Sequence, residues 1–119
     1  MKKLLIVAAL ATAPLMMTSV QAADSSTKVT FAKDSYCGSF TGNIREGKEF
    51  RLWLMPDQNL VIRNVGEDQI NVAYVSGPSG RLDGDRNGDE TSYITQRKGN
   101  HYMKVFGNSR YSNVEFCAY

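Results

Sequence analysis

The segment from Phe50 to Arg63 reads FRLWLMPDQNLVIR, and its pattern decides the class of fold. Its large apolar residues Phe50, Leu52 and Leu54 stand at every second position, which is the period of a strand with one buried face. Turn-forming residues follow at 56–59, and a second alternating run begins at Leu60. The segment therefore predicts two short strands separated by a turn.

Comparable alternation recurs along the chain, and no segment after residue 22 shows a convincing helical period. β-Branched and aromatic residues fill these runs, as pleated surfaces favour. The other predicted strands are Lys28–Ala32, Gly38–Ile44, Asn71–Val75, Thr91–Gln96, Tyr102–Phe106 and Asn113–Cys117. Short strands at this spacing predict an all-β fold, an antiparallel β-sandwich of about 7–8 strands.

The first 22 residues have the pattern of a secretory leader. Lys2 and Lys3 form a basic start, an apolar run extends from Leu4 to about Met17, and small residues precede the cleavage position after Ala22. We therefore expect residues 1–22 to be a cleaved signal peptide and residues 23–119 to form a single β-sandwich domain. The run is too short for a transmembrane segment, so we expect a periplasmic protein without a membrane anchor.

The charge balance argues against a polyanionic partner. The full chain has 14 Lys+Arg and 12 Asp+Glu, and removal of Lys2 and Lys3 leaves 12 of each. Binding of nucleic acid normally requires a dominant basic patch, and here the two signs are interspersed. We expect no nucleic-acid partner.

Two cysteines remain after the leader, Cys37 and Cys117. Export exposes them to an oxidising compartment, and two cysteines allow one pairing. We predict a structural disulfide that joins the second strand to the last. In the chain-entropy model, closing a loop of about 80 residues contributes roughly 4–5 kcal/mol.

The run from Ser76 to Glu90 has the longest interval without apolar periodicity after the leader. Its Gly-Pro, Ser-Gly, Asp-Gly and Asn-Gly pairs are turn signals, and long loops in compact domains are usually functional or disordered. We predict that this stretch is an exposed loop and the working surface of the protein.

Catalytic and metal-binding patterns are weak. Asp83 to Glu90 alternates acidic and amide side chains around glycines, as calcium loops do, but the usual glutamate at the twelfth position is replaced by Ile94. His101 is the only histidine, and a lone strand histidine is typical of a structural or surface-donor role. Ser79 lacks the nucleophile-elbow pattern, and zinc spacing is absent. The sequence predicts no catalytic residues, no metal site and no cofactor.

The order of several short motifs resembles a known family. These motifs are VTFAK at 29–33, GSFTGNI at 38–44, FRLWL at 50–54, QNLVI at 58–62, AYVSGPSG at 73–80 and KGNHYMKV at 98–105. Together they resemble the β-sandwich domain that follows many secreted bacterial peptidases. As a short exported chain, this protein is most similar to the periplasmic inhibitors of goose-type lysozyme.

This resemblance implies a binding protein, not an enzyme. It implies a protein partner, a lysozyme or related peptidoglycan hydrolase, whose substrate cleft is blocked by a protruding loop; we expect a monomer or weak dimer. Serine hydroxyls, backbone amides and a guanidinium would bond the enzyme's catalytic carboxylates. The partner-binding residues that carry over are Ser76, Gly77, Pro78, Ser79, Gly80, Arg81, Asp83 and Asp85.

Two alternatives remain open on the sequence. A periplasmic immunity protein against a secreted peptidoglycan-degrading toxin would use the same loop on a different partner. A carbohydrate- or calcium-binding module would use the Asp-rich run and outward-facing aromatic residues such as Trp53 and Tyr102.

Overall fold

The structure is a computed structural model that describes residues 25–119. Segments with alternating apolar residues and with β-branched residues form strands, as predicted. The ten strands are β1 (Thr27–Lys28), β2 (Cys37–Gly42), β3 (Lys48–Leu54), β4 (Asn59–Asn64), β5 (Ile70–Gly77), β6 (Gly80–Arg81), β7 (Asp85–Asn87), β8 (Glu90–Ile94), β9 (Gly99–Gly107) and β10 (Ser112–Ala118).

The strands form two five-stranded sheets. One has the order β1-β3-β9-β5-β6 and the other β2-β10-β4-β8-β7. All pairings are antiparallel except that of β1 with β3, where Thr27 lies opposite Phe50. The predicted antiparallel β-sandwich is therefore confirmed, with seven strands of five or more residues and three shorter ones.

The core lies between the two sheets. The predicted inward positions of β3 are all buried, since Phe50, Leu52 and Leu54 are at most 7% exposed. The ring centroids of Phe50 and Phe116 lie 4.8 Å apart, and that of Phe40 lies 5.2 Å from Phe50. This aromatic contact joins β2 and β10 of one sheet to β3 of the other.

The disulfide is present as predicted. Cys37 and Cys117 occupy directly opposite positions on β2 and β10, with their Cα atoms 4.1 Å apart. The Ala118 amide donates to the Tyr36 carbonyl beside them, at 2.9 Å. The bridge therefore occupies a non-hydrogen-bonded position of the ladder, where opposed side chains approach most closely.

Several predicted boundaries were wrong. The stretch 76–90 is not a single loop, because it contains β6, β7 and the ends of β5 and β8. Of the predicted strand Lys28–Ala32 only Lys28 pairs as strand. The strand predicted at Gly38–Ile44 ends at Gly42, and Ile44 turns into the core.

The predicted signal peptide, residues 1–22, lies outside the described residues. Residues 25–119 include no helix with the length and apolarity needed to cross a membrane.

Candidate functional site

Residues 76–81 form a tight hairpin at one end of the first sheet, which we call the tip. Ser76 pairs with Arg81 and Gly77 with Gly80, so that only Pro78 and Ser79 connect β5 to β6. Proline fixes its own φ, and Gly80 adopts a φ of +117°, a conformation that side chains with a Cβ rarely adopt. The local sequence therefore dictates a sharp and narrow turn whose residues Pro78 to Arg81 are exposed.

The tip rests directly on strand β9. A Cβ on Gly77 would lie 2.7 Å from His101 Nε2, and a Cβ on Gly99 would lie 2.7 Å from the Pro78 ring. Larger residues at either glycine would lift the hairpin away from the sheet. The Ser79 hydroxyl donates to Gln96 Oε1 at 3.1 Å, which adds a side-chain contact from the β8–β9 connection.

His101 lies beneath this contact and is fully buried. Its Nδ1–H donates to the Gly99 carbonyl at 2.9 Å, while Nε2 has no hydrogen-bond partner among residues 25–119. Burial lowers the pKa of the imidazole, an effect that the hydrogen bond to Gly99 partly opposes. The side chain packs the base of the tip, which is the structural role that the sequence suggested.

This burial makes stability depend on pH. The ordinary pKa is 6.5 and the folded-state pKa is lower, so below pH 6.5 the unfolded chain binds a proton that the folded chain does not. We expect the free energy of unfolding to fall as the pH drops from about 7.5 to 5, by at most about 1.4 kcal/mol per pH unit from this group. Urea titrations at several pH values measure the slope.

The same prediction can be checked on the folded protein alone. His101 is the only histidine, so one imidazole resonance reports its titration by NMR. The midpoint should lie below 6.5. A midpoint at or above that value would show that the imidazolium is accommodated beneath the tip and would contradict the prediction.

Arg81 is held in place by an aromatic ring. Its guanidinium carbon lies 4.2 Å from the Tyr74 ring centroid, and the Tyr74 hydroxyl donates to Glu49. This hydrogen bond, with burial, raises the pKa of Tyr74. The guanidinium therefore has one face against tyrosine while its donors remain available at the exposed side of the tip.

The two predicted aspartates are separate from the tip. After Arg81 the chain crosses from one sheet to the other through residues 82–84, with the Leu82 amide donating to the Val75 carbonyl at 2.9 Å. Asp83 lies on this crossover and Asp85 begins β7, opposite Ser92. Both are exposed, and Asp83 lines a groove of about 320 Å³ together with Tyr74, Arg81, Leu82 and Tyr93.

The acidic run does not converge on a metal position. Within residues 25–119, the only three potential ligands with atoms within 4.8 Å of one another are Cys37, Glu115 and Cys117. Both cysteines belong to the disulfide, which removes them as thiolate ligands. Asp83, Asp85 and Asp89 are placed along a crossover and a hairpin, so their geometry gives the calcium alternative no support.

Sequence reasoning did not place the residues that support the tip next to it. Gly99, His101 and Gln96 come from the far side of the crossover, about 20 residues after the hairpin. Only the pairing of β5 with β9 brings them together, and no local pattern encodes that pairing. Gly99 is the first residue of β9, where the absence of a side chain leaves room for the Pro78 ring.

Solved structures place this architecture among small bacterial β-sandwich domains. One match is the pre-peptidase C-terminal domain of a collagenase from Bacillus anthracis, with a TM-score of 0.56, 7% identity, and coverage of 84% of this chain and 100% of that one. The fold predicted from the resemblance is therefore confirmed.

More particularly, the fold matches that of PliG, a periplasmic lysozyme inhibitor of g-type lysozyme. The Salmonella Typhimurium structure gives a TM-score of 0.61 at 16% identity, covering 82% of this chain and 100% of that one. The Aeromonas hydrophila structure gives 0.56 at 16% identity, with 80% and 96% covered. No family model and no curated protein sequence matches the chain.

Proposed function

We propose that this protein is an exported inhibitor of a peptidoglycan-cleaving enzyme of the goose-type lysozyme class, and that the tip enters and blocks the enzyme's cleft. The observation that carries the proposal is the tip itself: an exposed two-residue hairpin held rigidly on β9 through Gly77 and Gly99. The fold shared with the PliG inhibitors supports the choice of enzyme class.

The tip carries the donors that this task requires. Enzymes that cleave glycans use a pair of carboxyl groups. An inhibitor that fills the cleft must offer hydrogen-bond donors to these groups. The Ser79 hydroxyl and backbone amide and the Arg81 guanidinium supply such donors from an exposed position, while Pro78 has no N–H to offer. A charge-assisted hydrogen bond of this type contributes about 1.5–3 kcal/mol.

Rigidity is the second requirement. A loop that must be ordered on binding loses affinity, whereas a hairpin fixed beforehand does not incur that cost. Pro78 against Gly99 and Arg81 against Tyr74 fix the turn and its cation in the free protein. Ser79 must exchange its bond to Gln96 for one to the enzyme, which reduces its net contribution.

Asp83 and Asp85 have a different role in this proposal. Carboxylates would repel the catalytic acids of a cleft, and the crossover holds both outside the turn that would enter it. In this proposal the two aspartates pair with cationic groups on the outer rim of the enzyme. They would then influence the rate of association more than the occlusion itself.

This function requires a protein that is exported from the cytoplasm. The disulfide forms and persists in oxidising surroundings, in agreement with the predicted signal peptide at residues 1–22. A periplasmic protein would meet lysozymes that cross the outer membrane.

The test is inhibition of lysis by goose-type lysozyme, with chicken-type and invertebrate-type enzymes in parallel. The mature protein should abolish goose-type activity near a 1:1 molar ratio. Arg81→Ala should weaken inhibition by about 10- to 150-fold, the equivalent of 1.5–3 kcal/mol. The matched control is Tyr111→Ala, an exposed residue at the opposite end of the sandwich.

Full activity of all three enzymes with excess inhibitor would refute the proposed function. Equal potency of Arg81→Ala and Tyr111→Ala would be compatible with an inhibitor but would contradict the assignment of the tip as its binding surface.

A further inference from the structure

Large hydrophobic side chains are exposed mainly at the end of the sandwich that carries the tip. Seven such residues in the described chain are more than 40% exposed. Two of them, Val65 and Tyr111, lie at the opposite end, where the Val65 amide bonds the Asn113 carbonyl. The other five are Tyr36, Trp53, Met55, Ile94 and Tyr119.

Backbone hydrogen bonds tie these five residues to a common region. The β3–β4 turn at 55–58 bonds the β8–β9 connection through Asp57 and Thr95, whose amide and carbonyl are 2.9 Å apart. Asn59 exchanges two 3.0 Å backbone bonds with Tyr119, and the Tyr119 ring centroid lies 6.1 Å from that of Tyr36. We call this region the tip end.

Trp53 is the member that lies beside the tip. It is 59% exposed on the outer face of β3, directly opposite Asn100 on β9. The residue before Asn100 is Gly99, on which Pro78 packs. One strand therefore separates Trp53 from the tip, a distance of roughly 10 Å from two strand spacings.

The same region carries a short basic segment. Arg97 and Lys98 are adjacent and exposed on the β8–β9 connection, next to the Gln96 that receives the Ser79 hydrogen bond. The chain contains no acidic residue from Thr91 to Asn113. This segment would be complementary to an acidic surface placed against the tip.

We propose that Trp53 and Met55, with Arg97 and Lys98, form a second contact region that docks on the acidic wall of the cleft which the tip enters. This inference rests on the proposed function and extends it to the specific anchor residue. Tryptophan gives a large contact area with few rotatable bonds, and it is enriched among the residues that dominate binding energy.

The distribution of these residues favours a protein over a sugar as the occupant. A stacked sugar ring would cover one aromatic residue, whereas the exposed side chains at the tip end come from strands of both sheets. A protein surface would cover Trp53, Met55 and the tip together. Met55, which follows β3 directly, supplies adaptable apolar contact at the side of the tryptophan.

The experiment uses the fact that Trp53 is the only tryptophan in the chain. Labelling with 5-fluorotryptophan gives a single ¹⁹F resonance, which is titrated with unlabelled goose-type lysozyme. The resonance should shift and saturate at a 1:1 ratio. Trp53→Ala should weaken inhibition by about 30-fold or more, and Arg97→Ala with Lys98→Ala should weaken it at low salt more than at high salt.

The controls separate the two proposals. Tyr111→Ala, with an equally exposed aromatic residue at the other end, should inhibit like the unaltered protein, and thermal unfolding should show that Trp53→Ala is folded. This inference alone is overturned if Trp53→Ala inhibits as well as the unaltered protein and the ¹⁹F resonance of the labelled protein does not shift when the enzyme is added. Failure of the unaltered protein to inhibit overturns the proposed function and this inference with it. A resonance shift with soluble peptidoglycan fragments in place of enzyme would assign Trp53 to sugar binding and also overturn the inference.

Discussion

Removal of the Cys37–Cys117 bridge is expected to lower the free energy of unfolding by about 4–5 kcal/mol. The bridge closes a loop of 80 residues, which is nearly the whole described domain. In the chain-entropy model its main effect is to restrict the unfolded chain, and the effect grows with the length of the loop. Small domains have a total stability of about 5–15 kcal/mol, so the loss would leave the protein marginally folded.

The measurement is urea unfolding of a Cys37→Ala/Cys117→Ala double variant beside the oxidised protein. Alanine avoids a buried hydroxyl at position 117, where the cysteine is fully buried. Unfolding of the unaltered protein with a reducing agent provides an independent comparison. A loss below about 1 kcal/mol in both experiments would show that the unfolded chain gains little freedom from the missing link.

The second large effect is expected for Phe116→Ala, which should lower the free energy of unfolding by about 3–5 kcal/mol. Phe116 is fully buried on β10 and its ring contacts Phe50 of the opposite sheet at a centroid distance of 4.8 Å. Its removal leaves a cavity at the junction of the two sheets, which the neighbouring strands cannot easily fill because their own partners hold them.

The matched control for this variant is Tyr111→Ala. Tyr111 is also aromatic but 66% exposed, so the change should alter stability by less than about 0.5 kcal/mol. Similar losses for the two variants would contradict the assignment of Phe116 to the centre of the core. The two substitutions are measured by the same urea titration.

The long strands were predictable because burial leaves a local signature. Phe50, Leu52 and Leu54 alternate with outward residues in the sequence, and the structure buries just these three positions of β3. The disulfide followed from export and from the count of two cysteines. In both cases the information is present within a few residues or in the composition.

The short strands were not predictable from such a pattern. All three residues of β7 and both residues of β6 are exposed, so no alternation marks them. Their pairing depends on backbone hydrogen bonds to neighbours supplied by the fold. The glycines and aspartates of 76–90 therefore predicted a loop, whereas the chain forms two hairpins, one on each sheet, joined by the crossover at 82–84.

The environment of the candidate site depended on pairings between distant segments. The sequence identified the exposed turn through Gly77-Pro78-Ser79-Gly80, but not the surface beneath it. His101 and Gly99 reach the tip because β9 lies between β3 and β5 in the sheet. Which strand lies beside which is decided by the packing of the whole domain, and alternation alone does not specify it.

The parallel pairing of β1 with β3 sets where the molecule can be tethered. Since Thr27 lies beside Phe50 and both strands run toward the tip end, Ser25 lies near Gly47 and Lys48, at the opposite end. A linker to a bead or a biosensor surface attached ahead of Ser25 would leave the hairpin pointing into solution. A purification tag attached after Tyr119 would instead lie among the aromatic side chains of the tip end and would obstruct an approaching enzyme.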